Sequence, residues 1–234
     1  MRRSQSLCLL SIALLATSFA TAQPTFSGLT YATLGGQPLL LDLYLPASAQ
    51  PPYPVVVWIH GGGWSGGSRL PAANAGPLTQ AGFAVASIDY RLTSQAGQFG
   101  ALPVTFPAQI HDVKAAVRWL RANASQFDLD RSRFGSWGSS AGGHLSALLG
   151  TSGELSTLEG NVGGNRQYTS LIHACVDYFG PTDLINMQLD VATPPGSVGD
   201  HDAFNSPESR LIGWDNPGQG IGDIRANLSN ATAP

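Results

Sequence analysis

Gly135-Ser136-Trp137-Gly138-Ser139-Ser140-Ala141-Gly142-Gly143-His144 is the stretch that decides how this chain folds. It joins a short apolar run, Phe134 to Trp137, to a small-residue-rich helical stretch, Ala141 to Leu149. Gly138-Ser139-Ser140-Ala141-Gly142 satisfies the pattern G-x-S-x-G. In that pattern a serine sits on a strained strand-to-helix turn, and the glycines remove side chains that would collide there. Five residues alone are a weak signal in a chain with 28 glycines, so the strand before and the helix after carry the weight. Ser140 is the candidate nucleophile. A helix beginning at Ala141 would turn its unpaired N–H groups and positive dipole end toward an oxygen that gains charge.

Upstream, Val55-Val56-Val57-Trp58-Ile59 is a continuous apolar run, the pattern of a strand buried on both faces in a parallel sheet. His60-Gly61-Gly62-Gly63-Trp64 leaves its carboxyl end. Consecutive glycines there let backbone N–H groups approach a ligand with no side chain in the way. Gly62 and Gly63, with Ala141, are the candidate oxyanion donors. Trp64 beside them has two open readings, packing or stacking on a sugar or aromatic acid.

The remaining elements follow from periodicity. Leu29 to Leu34 and Leu39 to Leu45 flank Gly35-Gly36 as an N-terminal β-hairpin. A small helix near Ala75 to Ala81 precedes a strand from Phe83 to Ile88, and a long loop runs from Tyr90 to Phe106. Ile110, Val113, Val117 and Leu120 recur at helical spacing after Pro107, giving a helix that ends near Asn123. Glu154 to Thr169 reads as a loop and Leu171 to Tyr178 as a buried strand; little periodic signal follows Asp183. Alternating strands and helices predict an α/β architecture, a mostly parallel sheet with helices on both faces.

Residues 1–22 carry Arg2 and Arg3, an apolar run from Leu7 to Ala20, and Ala20-Thr21-Ala22 as a cleavage site. This is the pattern of a secretory signal peptide, leaving one domain over residues 23–234 and a secreted or periplasmic product. The apolar run is too short for a membrane span. Charged residues are only 12% of the chain and form no basic cluster, which argues against a nucleic-acid partner. Cys8 falls in the leader, so Cys175 is alone in the mature chain and reads as a small buried hydrophobe.

Several further stretches carry a resemblance: Leu41-Asp42-Leu43-Tyr44-Leu45-Pro46, Ile88-Asp89-Tyr90-Arg91-Leu92, Phe106 to Leu120, and Phe179-Gly180-Pro181-Thr182-Asp183-Leu184. With the glycine loop and the Ser140 turn, the chain resembles the α/β-hydrolase superfamily. Within it, the chain is similar to secreted esterases of the hormone-sensitive-lipase-like and bacterial feruloyl-esterase-type group. The resemblance implies the α/β-hydrolase fold and carboxylic-ester hydrolysis through an acyl-serine. It implies no metal and no organic cofactor, and a small acyl ester or acylated carbohydrate as substrate. Asp42, Asp89, Asp112 and Asp183 match structural positions of that pattern and are expected to pin turns.

In such enzymes an acid and a histidine follow on two further strands, and no comparable phrase follows Asp183. The expectation is a C-terminally incomplete domain lacking its last two strands, with little activity of its own. One alternative is a non-catalytic relative that binds ligands or partners. Another recruits a histidine already present. His144 is one helical turn after Ser140 and is expected to face the sheet; His201 lies between Asp200 and Asp202, a weak metal pattern. His60 is expected to hold the glycine loop, His111 lies on the Pro107 helix, and His173 reads as a core histidine.

Overall fold

The computed structural model describes residues 22–72, 74–191, 199–214 and 216–231. Of the expected leader, residues 1–22, all but Ala22 lie outside them. Strands β1 (Phe26–Leu34) and β2 (Gln37–Tyr44) form an antiparallel hairpin. Its two turn residues, Gly35 and Gly36, both have positive φ, 55° and 82°, as a two-residue turn matched to strand twist requires.

β3 (Tyr53–Ile59), β4 (Ala84–Ile88), β5 (Leu129–Ser139) and β6 (Ala174–Tyr178) complete a six-stranded sheet in the order β1-β2-β4-β3-β5-β6. β2 joins β4 antiparallel, and every pairing from β4 to β6 is parallel. The sheet is therefore mostly parallel, with the hairpin on one edge.

Alternation along the strands separates two apolar layers. Val55, Val57 and Ile59 pack in one cluster with Val113, Val117, Leu145 and Leu149, which come from α2 (Ala108–Ala122) and α3 (Ala141–Ser152). Trp58 and Val85 face the other way, against Ala75 and Leu78 of α1 (Ala75–Gln80). Helices thus cover both faces. The apolar stripe read from Ile110, Val113, Val117 and Leu120 is fully buried.

Three expectations need correction. The segment after α3 is more than a loop: it contains α4 (Ser156–Glu159) and lies across α2. Lys114 and Arg118, buried on α2, both pair with Glu159, and Arg118 also donates to Val162 O at 2.9 Å. Those cations would be costly to bury without partners, and the segment supplies them. Second, β6 exists but is exposed at every residue, because among the described residues β5 is its sole pairing neighbour. Cys175 is accordingly exposed rather than buried, and so is His173, whose Nδ1 lies 3.3 Å from the backbone of Phe134. Third, the chain beyond Asp183 forms α5 (Met187–Val191), α6 (Pro207–Ile212) and α7 (Ile221–Ala231). α5 and α6 are too short for a helical period to show in sequence. Among the described residues, no helix is long and apolar enough to cross a membrane.

Candidate active site

β5 ends at Ser139 and α3 begins at Ala141, so Ser140 is the whole of the turn between them. Its backbone has φ 54° and ψ −124°, a conformation that a non-glycine residue keeps only where its surroundings over-determine it. Two hydrogen bonds hold it there. Ser140 N donates to Tyr178 O of β6 at 3.0 Å, and His144 N donates to Ser140 O at 3.0 Å. Gly142 is required by close approach, since a Cβ there would overlap the carbonyl oxygens of Ile59 and His60.

That crossing brings the second motif to the first. The loop leaving β3 packs against the turn so closely that a Cβ on Gly61 would stand 2.7 Å from Ser139 O and 3.3 Å from Ser140 Cβ. Gly62, Gly63 and Trp64 follow with φ 114°, 58° and 53°. Gly62 O closes this tight turn by accepting from Ser65 N at 3.1 Å and Gly66 N at 2.9 Å. Among the described residues, the N–H groups of Gly62, Gly63 and Ala141 have no hydrogen-bond acceptor. The structure thus places the start of the glycine loop, at Gly61, against the Ser140 turn, with Gly62 and Gly63 following directly.

The BD-FAE family model matches residues 41–220, which include both motifs. The chain belongs to the BD-FAE family. Among curated relatives, the carboxylesterase NlhH of Mycobacterium tuberculosis is 32% identical over 186 residues, covering 77% of this chain and 50% of NlhH. The esterase LipC of the same organism is 41% identical over 101 residues, 42% of this chain and 23% of LipC. This BD-FAE chain therefore spans half or less of the length of these two relatives. Among solved structures, a truncated form of a carbohydrate esterase from gut microbiota superposes with TM-score 0.71 at 30% identity, over 89% of this chain and 72% of that one. A bifunctional GH43-CE protein of Bacteroides eggerthii superposes with TM-score 0.66 at 38% identity, over 80% of this chain and 26% of that one. The fold is thus that of α/β-hydrolase esterases.

The BD-FAE site is further defined by where the five histidines stand. His60 is buried, stacked on Tyr90 at 4.4 Å, with its Nδ1 2.8 Å from Gly61 O. Burial pushes its imidazole below the ordinary histidine range, so it is a neutral anchor of the glycine loop. Tyr90 donates to His60 O at 2.9 Å and completes that anchor. His111 faces Thr157 O at 3.2 Å on the outer side of α2. His173 stands at the amino end of β6, while Ser140 bonds to its carboxyl end.

His144 turns toward the glycine loop rather than onto the sheet, packing edge to face on Trp64 at 5.4 Å. Its Nδ1 is buried with no hydrogen-bond partner, and burial lowers its basicity against the opposing pull of Asp177. Trp64 itself is 1% exposed, which decides between its two readings in favour of packing. His201 reaches a carboxylate, Glu208 Oε2, from its Nδ1 at 3.2 Å. Its sequence neighbours go elsewhere: Asp202 pairs with Arg225, and Asp200 Oδ1 accepts from Asp202 N at 3.0 Å.

The other aspartates are structural. Asp112 is fully buried and takes Arg91 through both oxygens, at 2.8 Å each. Asp42 and Asp89 both hold Arg69, at 3.1 and 2.7 Å. Asp183 accepts from Asn186 Nδ2 at 2.8 Å. Among the described residues, no group of three or more histidine, cysteine or carboxylate side chains is placed to hold a metal ion. The sequence reading missed Pro207, whose ring occupies the space beside Gly63 where a side chain would stand. Its available signal was the Ser206-Pro207 start of α6, an N-cap followed by a first-turn proline.

Proposed function

We propose that this chain performs carboxylic-ester hydrolysis with Ser140 as nucleophile, the N–H groups of Gly62, Gly63 and Ala141 receiving the oxyanion. The observation that carries this reading is the strained Ser140 backbone at the first turn of α3, with the glycine loop packed directly against it. In the reaction, Oγ bonds to the ester carbonyl carbon as its proton passes to solvent water, which later returns a proton to the departing alkoxide, and negative charge grows on the carbonyl oxygen as its π bond breaks. Three unpaired donors fixed in advance stabilise that charge without reorganising. Collapse of the tetrahedral adduct breaks the ester C–O bond and releases the alcohol. Water then cleaves the acyl-serine.

Among the described residues, the Ser140 hydroxyl has no hydrogen-bond partner to take its proton. Turnover by this chain is therefore slow, on the order of 10³–10⁴ over water, the residue of catalysis that an oxyanion hole and binding supply without a base. The carbohydrate-esterase neighbours and the carboxylesterase relatives support a small acyl ester or an acylated carbohydrate as substrate. The leader over residues 1–22 supports action outside the cytoplasm.

The test is incubation with p-nitrophenyl acetate followed by peptide mass mapping. One acetyl group is expected on the peptide bearing Ser140, absent from Ser140→Ala. Equal nitrophenol release by the parent and Ser140→Ala, with no adduct at Ser140, would sink the reading.

A further inference from the structure

The glycine loop is fastened at both ends by groups outside it, and in its middle by hydrogen bonds within the loop, from Ser65 N and Gly66 N to Gly62 O. At the start, Tyr90 holds His60 through ring and carbonyl. At the end, Thr93 N donates to Trp64 O at 2.8 Å and Ser94 Oγ to Ser65 O at 2.7 Å. Between them stand Gly62 and Gly63, whose amides are the proposed donors. The atoms nearest to where a Gly63 side chain would stand are Cβ and Cγ of Pro207, at 3.1 and 3.3 Å. Pro207, the first residue of α6, thus stands over the side of Gly63 from which a side chain would project.

α6 is built in an unusual way for six residues near the surface. Ser206, Glu208 and Ser209 are all buried. Buried polar groups are unfavourable unless partnered, and each of the serines is partnered. Ser209 N donates to Ser206 Oγ at 3.1 Å, Ser209 Oγ to Ala203 O at 2.8 Å, and Ile221 N to Ser209 Oγ at 3.1 Å. Leu211 enters the main core, and its carbonyl accepts from Phe106 N at 2.7 Å. Glu208, directly after Pro207, is 3% exposed and has His201 Nδ1 at 3.2 Å, an ion-pair distance not aligned as a hydrogen bond. His201 is in turn held by its backbone N–H, which donates to Gln188 Oε1 at 2.8 Å.

We propose that Pro207, seated by buried Glu208 and its partner His201, is a positioning residue for the oxyanion loop. It touches no substrate. It sets where the Gly62 and Gly63 amides point by closing the side of the loop that its own anchors leave open. The inference rests on the esterase reading for its functional meaning, and on the contacts alone for its structural meaning. Oxyanion donors act only when aimed at the charged oxygen, and a displacement of about 1 Å can cost about 10²-fold in rate. Withdrawing the ring is a smaller disturbance, because both loop ends stay fixed.

The experiment compares the full chain with Pro207→Ala, Glu208→Ala and Glu208→Gln by p-nitrophenyl acetate kinetics and by amide hydrogen exchange. Ser65 and Gly66 report on the loop, since both donate to Gly62 O. Pro207→Ala and Glu208→Ala are expected to lower kcat about tenfold with KM within about twofold, and to speed exchange at Ser65 and Gly66 with α3 and β5 unchanged. Glu208→Gln, which keeps shape and an acceptor for the imidazole, is expected to retain most of both. Unchanged exchange at Ser65 and Gly66 overturns the proposal, as does a loss of protection spread evenly through α3 and β5. If the parent turns over no faster than Ser140→Ala, the esterase reading fails while the exchange arm still decides the brace.

Discussion

β3 and β6 flank the same strand, β5, run in the same direction, and are similarly apolar, yet one is the centre of the molecule and the other its surface. Val57 and Ile59 of β3 are fully buried, whereas Val176 of β6 is 42% exposed. The difference lies in their neighbours. β3 has β4 on its other side and α3 across its face, while β6, among the described residues, has β5 alone for a ladder partner and α3 on one face. An apolar run therefore predicts a strand, but burial belongs to the assembly around it. The candidate site uses both kinds of strand: the glycine loop leaves β3, and the Ser140 N–H is held by Tyr178 O at the end of β6.

The largest effect expected from this contrast is on stability. Ile59→Ala removes packed atoms at the centre and is expected to cost about 2–5 kcal/mol, whereas Val176→Ala should stay within about 0.5 kcal/mol. Denaturant melts of the two variants against the parent measure both. Equal losses would mean that β6 is covered in solution as thoroughly as β3, and the contrast would break.

A second effect sharpens the same contrast through pH. His60, at the carboxyl end of β3, is buried and its basicity is lowered, chiefly by desolvation. In the unfolded chain it would titrate near the ordinary value of about 6.5. Above that pH both states hold it neutral, so stability is unaffected. As pH falls below about 6.5 the unfolded state takes up the proton first, and stability declines until the folded state titrates too. His60→Asn is expected to flatten part of that decline in melting temperature between neutral and mildly acidic pH. His144, lowered for the same cause, retains the rest. A decline as steep in His60→Asn as in the parent would assign the effect elsewhere.

What the sequence made legible, and what it hid, follows from the same distinction. Local chemistry read well: Gly35-Gly36 demanded a hairpin turn, Val55 to Ile59 a central strand, and Gly138 to Gly142 a sharp strand-to-helix junction. These signals depend on residues near each other in the chain. Cys175 and His173 failed because their expected burial rested on neighbours that β6 lacks. Trp64 was ambiguous because exposure, which separates stacking from packing, is a tertiary fact. The brace at Pro207 was hidden for a further reason: its buried residues, Ser206, Glu208 and Ser209, are of types that usually mark a surface.

The smallest expected effect on stability tests the exposed strand itself. An uncovered edge with apolar side chains offers its open N–H and C=O groups to another chain, and a lysine there is a common obstacle to such pairing. Parent protein is expected to self-associate as concentration rises, and Val176→Lys to do so less, while its unfolding free energy stays within about 0.5 kcal/mol of the parent. Light scattering across a concentration series, beside a denaturant melt, reads both quantities. Acetylation at Ser140 adds the deciding comparison, because Tyr178 O grips the Ser140 N–H from the same strand. If Val176→Lys relieves association and leaves the Ser140 adduct intact, the edge strand holds Ser140 without the two sharing a fate. If the adduct is lost while the fold survives, β6 helps to set the reactive serine's geometry, and whatever covers that edge would also tune the site.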